Sequence, residues 1–218
     1  MAQAKAATTP EKNLIRFNIK NVKYAFPTTD GGFTDFAPMG TASKLAIETD
    51  ASEKSIYGDG KRIIHYNNEK GKTGTVSLNT ICNEYEIACG RKKRLDVGLA
   101  DIKPTKNVPH VLYYEICEMN GENEISVAKG MLYGVTSTRP AESYDQTTDD
   151  INESSFDLPL VIGGTPLLEA DGSVYKDAKG NEVSVWGVIV TPDMDGYADF
   201  GKEVVLPKNG TSAETPAV

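Results

Sequence analysis

The sequence predicts a mainly β domain with one flanking α-helix near residues 80–90. Three observations carry that expectation. From Ile125 to Arg139 one alternating face reads Ile125, Val127, Met131, Tyr133, Val135, and the opposite face is nearly all small: Ser126, Ala128, Gly130, Gly134, Thr136, Thr138. A two-residue period over such a length marks a half-buried strand. Phe156, Leu158, Leu160 and Ile162 resume the same period. Helical spacing is convincing in one segment alone, after residue 79.

The elements follow in order. Residues 1–12 are rich in Ala, Thr and Lys and read as a flexible arm, and 208–218 read as a flexible tail. Between them, 13–207 form one domain. Ile15, Phe17 and Ile19 alternate, then Val22, Tyr24 and Phe26 carry the apolar face; a phase slip of this kind is what a bulge produces. Pro27 to Gly32 is turn chemistry. Lys44 to Asp50 alternates, with Leu45 and Ile47 inward. Residues 50–72 are polar around Gly58-Asp59-Gly60, flanked by Tyr57 and Ile63-Ile64, and read as a long hairpin arm with a glycine tip. Val76 and Leu78 mark the returning strand.

The helix is expected to be capped by Asn79 or Thr80. Its apolar face is Ile81, Tyr85, Ala88 and Cys89, and Gly90 ends it. Arg91, Lys92, Lys93 and Arg94 then read as a solvated cap that complements the helix dipole. Val108 to Met119 is apolar on both faces at Val111, Leu112, Tyr113, Tyr114 and Ile116, as a central strand covered on both sides would be. Asn120-Gly121 is a hairpin turn into Ile125. Asp171-Gly172 and Lys179-Gly180-Asn181 punctuate short strands that include Val183 to Val190. The single tryptophan, Trp186, reads as core.

At 218 residues the chain can bury a core without staples. Its net charge of −8 disfavours non-specific attraction to nucleic acid. Cys82, Cys89 and Cys117 form no CxxC pair; free thiols in apolar contexts imply burial and a reducing compartment. The first twelve residues lack the apolar core of a signal peptide, and no apolar run approaches the ~20 residues that span a bilayer. After Arg139 come Glu142, Asp145, Asp149, Asp150, Glu153 and Asp157, with no Lys or Arg among them. A dense negative face on extended chain suits a surface that assembles or repels polyanions.

Catalytic constellations are missing from the sequence. His65 and His110 have no companion at triad or metal spacing and read as surface or packing histidines. There is no P-loop, no GxGxxG after a strand and no GxSxG elbow. Asp193, Asp195, Asp199 and Glu203 evoke a calcium loop, but Gly196 falls two positions early for an EF-hand. The carboxylates of 142–157 have only Tyr144 and Phe156 beside them, too few aromatic platforms for a glycosidase. No catalytic residue, cofactor or metal is expected.

Several short segments, taken in order, resemble the phi13-type major tail protein family of long-tailed bacteriophages. I-Y-G-D-G-K at Ile56–Lys61 is similar to that family's Y-x-D-x-K arm. A strand-helix unit ending at Gly90 follows. V-P-H-V-L-Y-Y at Val108–Tyr114 resembles its Pro-led strand, A-K-G-M-L-Y at Ala128–Tyr133 its Lys-Gly strand, and P-A-E-S-Y-D-Q-T at Pro140–Thr147 its Pro-x-Glu…Thr stretch. The resemblance covers roughly 13–165, and 166–203 match less well.

The resemblance implies a β-sandwich or barrel-like tail tube fold whose subunits form hexameric rings, stacked into the hollow tube that delivers the genome to the host. It implies as partners other copies of the chain, a tape measure protein and tail terminator and initiator proteins, with DNA passing through the lumen unbound and no membrane. The subunit would wait in the host cytoplasm and end in the virion tail. Tyr57, Gly58, Asp59, Gly60 and Lys61 are then the expected inter-ring arm. Glu142, Asp145, Asp149, Asp150 and Glu153 are the expected acidic lumen face, since a negative wall repels phosphates. Other readings are a β-sandwich binding or decoration module of a virion or cell surface, which would stay monomeric and expose an aromatic patch, and the tube of a contractile injection or secretion system. An enzyme would need a concave site with perturbed titratable groups.

Overall fold

The computed structural model describes residues 14–80, 82–104, 107–141 and 156–209. Among these residues it is mainly β, with one large antiparallel sheet and one short helix. The long strands are β1 (Ile15–Ala25), β3 (Ala42–Gly58), β4 (Lys61–Leu78), β7 (His110–Met119), β8 (Ile125–Ser137) and β9 (Phe156–Ile162). Short pieces are β2 (Ala37–Pro38), β5 (Lys92–Leu95), β6 (Gly98–Asp101), β10 (Thr165–Pro166), β11 (Ser184–Val185) and β12 (Gly187–Val190), and the helix is α1 (Asn83–Ala88). The main sheet runs β2-β1-β7-β8-β9-β4-β3, with β12 also on β8. Its ends curl, so that β1 and β3 approach each other without forming a ladder.

The curl encloses one core and leaves a second on the outer face. Val22, Tyr24, Val76, Leu78, Leu112, Tyr114, Leu132, Leu158, Leu160 and Ile162 fill the first. Val111, Tyr113, Met131, Tyr133, Val190 and Phe200 form the second. Adjacent residues of β7 therefore go to opposite cores, which is why its sequence is apolar without alternation. Trp186 packs half-buried against the first core.

β1 slips phase twice rather than once. Its register against β7 shifts between Phe17 and Ile19 and between Lys20 and Lys23. Asn18 and Asn21 supply the left-handed residues, with φ of 52° and 53°; asparagine tolerates that region better than most side chains. Ile15 and Phe17 end up exposed as a result, and Val22, Tyr24 and Ala25 buried.

β8 also departs from the expected pattern. Met131 and Tyr133 face the second core but Val135 faces the first, because Gly134 reverses the alternation at φ 60°. At that point the sheet forks. The middle of β8, Lys129 to Leu132, pairs with β12 and its last residues pair with β9. Ile125, expected inward, is exposed, and so is Ile47, because β3 is an edge strand facing the gap to β1.

The helix is shorter than expected. Neither Asn79 nor Thr80 caps it: the Asn79 N–H donates to Thr41 O at 2.9 Å, continuing the β3–β4 ladder. Cys82 occupies the N-cap position without a side-chain bond. The C-terminus is a Schellman motif, with Arg91 N–H donating to Glu86 O and Gly90 N–H to Ile87 O, both at 2.9 Å.

The fork makes one position decisive. A Cβ on Gly134 would lie 2.4 Å from the carbonyl oxygen of Gly164. Gly134→Ala is expected to lower stability by about 2–4 kcal/mol, through left-handed backbone cost plus forced separation of the two segments; urea unfolding at constant slope measures it.

Candidate assembly interface

β3 and β4 form one continuous hairpin from Ala42↔Leu78 to Gly58↔Lys61. Its turn, Asp59-Gly60, has φ of 50° and 75°, the left-handed pair that suits the twist of a two-residue hairpin. β9 pairs with β4 only from Lys72 to Leu78. Beyond Lys72, among the described residues, the hairpin has no neighbouring strand. Eight residues of strand extend about 25 Å, so the far half leaves the sheet as a free ribbon.

The ribbon is not polar throughout. Ile56 pairs with Ile64 and Lys54 with Tyr66, on one face near the tip. Ile63 is the extra residue of a bulge between Ile56 and Tyr57, and its side chain lies over Gly58. Tyr57 is 68 % exposed and Ile63 65 %, and Ile56, Ile64 and Tyr66 are exposed too. Such a patch on a two-stranded ribbon makes it the candidate interaction surface of the fold. Tyr57, Gly58, Asp59, Gly60 and Lys61 all lie at this tip. Glu142, Asp145, Asp149, Asp150 and Glu153 lie outside the described residues. Asp157, the last of that run, accepts a 2.5 Å hydrogen bond from Ser77 on the neighbouring strand.

The exposed edges of β1 and β3 flank a groove of about 350 Å³, lined by Phe17, Leu45, Ile47 and Ile116 with Arg16 and Lys44 at its sides. Arg16 reaches Glu118, which is buried, at 2.9 Å.

A separate buried polar cluster ties α1 to the sheet. Contrary to the sequence expectation, Arg91 is no solvated cap. It is buried and donates through Nε and Nη2 to the two carboxylate oxygens of Glu86, at 2.8 and 2.7 Å. Nη1 donates to Ser137 O and Oγ at 2.9 and 3.0 Å. Burial opposes the charge on Arg91, but the Glu86 carboxylate outweighs it and holds the guanidinium pKa above its ordinary value. Lys92, Lys93 and Arg94 are strand, and Arg94 pairs with Glu84.

His110 belongs to the same cluster. Its Nδ1 lies 3.1 Å from the Val108 carbonyl and so carries the hydrogen. Nε2 then accepts from the Tyr85 hydroxyl at 3.0 Å, and Ser137 Oγ sits 2.6 Å from that hydroxyl. Burial, reinforced by the Arg91 charge, pushes the imidazole pKa down to about 4, and burial raises the Tyr85 hydroxyl and the Cys89 thiol. The arrangement has no activated nucleophile, since Ser137 meets a phenol and a guanidinium rather than the imidazole. Among the described residues every buried side-chain nitrogen and oxygen has a partner.

The remaining candidates do not come together. His65 is exposed on the ribbon, 3.1 Å from Ser55 Oγ. Cys82, Cys89 and Cys117 are free thiols, the last two buried. Asp193 is engaged by Thr191 and Asp199 by Lys202, and among the described residues no three His, Cys, Asp or Glu side chains are placed to hold a metal ion. Sequence reasoning missed the Glu86–Arg91 pair, although a carboxylate five residues before an arginine across a helix-ending glycine is a readable signal. It also missed β5–β6, whose Asp96 and Gly98 are turn chemistry. No protein-family model matches the chain, and no curated protein matches it.

Two outcomes follow from the cluster. His110 is neutral in the folded chain and binds a proton near pH 6.5 when unfolded, so its contribution is full above that pH and is lost as pH falls towards 4. Stability is expected to drop by about 3 kcal/mol across that window, and His110→Asn should flatten that part of a pH series of urea melts. Arg91→Met strands a buried carboxylate and is expected to cost about 3–5 kcal/mol, most of it recovered in the Glu86→Leu/Arg91→Met double variant.

Proposed function

We propose that this chain is a structural subunit that assembles into hexameric rings, which stack into the tail tube of a bacteriophage and conduct the genome into the host. The observation that carries the reading is the β3–β4 ribbon: it projects beyond the sheet and holds Ile56, Tyr57, Ile63, Ile64 and Tyr66 in solvent. A lone subunit gains nothing from such a ribbon. In a stacked assembly it reaches a neighbouring ring and buries about 1.5–3 kcal/mol of apolar surface per large side chain. The I-Y-G-D-G-K segment that resembles the family's arm is the tip of this ribbon.

Three further observations support the reading. The open edges of β1 and β3 offer backbone groups that a ring can pair across subunits. The charge of −8 suits a conduit along which DNA slides without binding. Buried titratable groups are consumed in structural pairs, which favours a scaffold over an enzyme. On this reading the subunit's partners are its own copies, a tape measure protein and terminator and initiator proteins.

Negative-stain electron microscopy of the concentrated protein, beside its light-scattering mass, tests the proposal. Hollow tubes with six-fold end views are the expected result. A variant whose Lys54–Lys70 segment is replaced by a short turn should fold, as judged by its urea melt, yet stay unpolymerised. Intact tubes from that variant would remove the ribbon from the assembly contact.

A further inference from the structure

β5 and β6 form a second, smaller finger, Lys92–Leu95 against Gly98–Asp101, which joins no other strand among the described residues. Its tip is apolar. Val97 is 95 % exposed, with Leu95 and Leu99 exposed on either side. Nothing inside the fold needs aliphatic residues there. The stem is cationic: Lys92, Lys93 and Arg94 make up most of β5.

The base of the finger is held firmly. Arg139 Nη2 donates to Arg91 O at 2.7 Å and to Ile102 O at 3.0 Å, closing the two ends of the hairpin together. The Ile102 N–H donates to Arg91 O at 2.9 Å, and Lys92 Nζ donates to Asn83 at 3.2 Å. A short hairpin is marginal in water by itself. Clamped in this way it presents the tip in one place, which lowers the ordering cost of docking.

On the other side of the molecule is a cleft of about 750 Å³. Its apolar wall includes Tyr133, Leu167, Val188, Val190, Phe200 and Val205, and Asp195, Asp199 and Lys208 stand exposed around it. Tyr133, Val188, Val190 and Phe200 of the wall belong to the second core, whereas the finger is rooted beside α1, whose Tyr85 and Cys89 belong to the first. Finger and cleft thus lie on opposite faces of the β7–β8 pair. One copy can offer its finger to a neighbour while its cleft receives another, the geometry of a heterologous, head-to-tail contact.

We infer that the Leu95–Val97–Leu99 tip of one copy docks in the Leu167–Val188–Val205 cleft of a second copy, with the Lys93 ammonium set towards Asp195. Charge selects this partner. Asn83 holds Lys92 and Glu84 holds Arg94, so Lys93 is the cation of β5 that remains to meet a carboxylate-bearing cleft. Lys202 already holds Asp199 at 2.6 Å, which leaves Asp195 as the carboxylate for Lys93, while Lys208 sets which way round the stem can lie. The inference rests on the self-assembly reading and adds a contact separate from the β3–β4 ribbon.

Light-scattering mass and electron microscopy of the full chain, wild type against Val97→Asp, test it. Val97 is solvent-exposed, so the urea melt should not change, while association should weaken roughly tenfold or more. Lys93→Glu should weaken association as well, and adding Asp195→Lys should restore it. Mixing a Val97→Cys chain with a Val205→Cys chain under mild oxidation should give a disulfide-linked heterodimer that neither chain gives with wild type. Wild-type assembly matched by Val97→Asp, with no cross-link, would overturn the docking and leave the tube reading standing. Loss of assembly in Val97→Asp without the cross-link would overturn the cleft as receptor. The cross-link in a protein that forms no tubes would uphold the docking and sink the tube. A wild type that stays monomeric at every concentration and gives no cross-link overturns both.

Discussion

The architecture hangs on a contact between two glycines. Gly134 in β8 and Gly164 after β9 come so close that no side chain fits between them. Hydrogen bonds from Gly163 to Gly134 O and from Gly164 to Tyr133 O fix the approach at 3.1 and 3.0 Å. With its φ of 60°, Gly134 also turns the side chains that follow it to the opposite face. So Tyr133 serves the outer core and Val135 the enclosed one. The same point splits the edge of β8 between β12 and β9. The curl around the first core, and the second core with its cleft, both begin there.

The polar cluster around Arg91 performs the complementary task on the helical side. A six-residue helix has too few turns to stand on its own propensity. Its Schellman end brings Arg91 back beneath Glu86. That guanidinium then grips Ser137, while Tyr85 bridges Ser137 to His110. Helix, β7 and β8 meet through this one set of charge-assisted and neutral hydrogen bonds. Because the cluster is buried and fully partnered, it is costly to interrupt and specifies a single seating for α1. Arg139 carries the connection outward to both ends of the β5–β6 finger.

Much of the sheet was legible in the sequence, for physical reasons that differ by strand. β9 alternates cleanly because only one of its faces meets the core, so Phe156, Leu158, Leu160 and Ile162 read directly as buried. β7 was legible from its lack of alternation. The turn at Asp59-Gly60 was legible because few residues accept its backbone angles. What stayed hidden involved distant partners. Nothing local in β8 says that Gly164 will arrive beside Gly134. The exposure of Ile47 follows from β3 being an edge, a fact of topology rather than of pattern. Arg91 resembled its three basic neighbours in sequence, and only its approach to Ser137, 46 residues away, makes it a buried group. The acidic run of 142–153 lies outside the described residues, so its placement rests on the sequence alone.

Under the proposed self-assembly, charge and apolar surface together set how association is controlled. At net charge −8 two copies meet against a repulsive field, and exposed apolar surface is what can overcome it. That surface is not spread evenly over the chain. Much of it sits on two projecting hairpins, each carrying lysine or arginine beside its aliphatic residues: Lys61 and Arg62 on the ribbon, Lys93 and Arg94 on the finger. Misaligned encounters bring like charges together and separate again. In the proposed finger contact Lys93 meets a carboxylate-bearing cleft, where attraction and burial act in the same direction. An edge-rich β protein is otherwise prone to indiscriminate pairing. On the proposed reading, concentrating adhesion on two hairpins against a repulsive background favours one ordered mode of association over the many disordered ones.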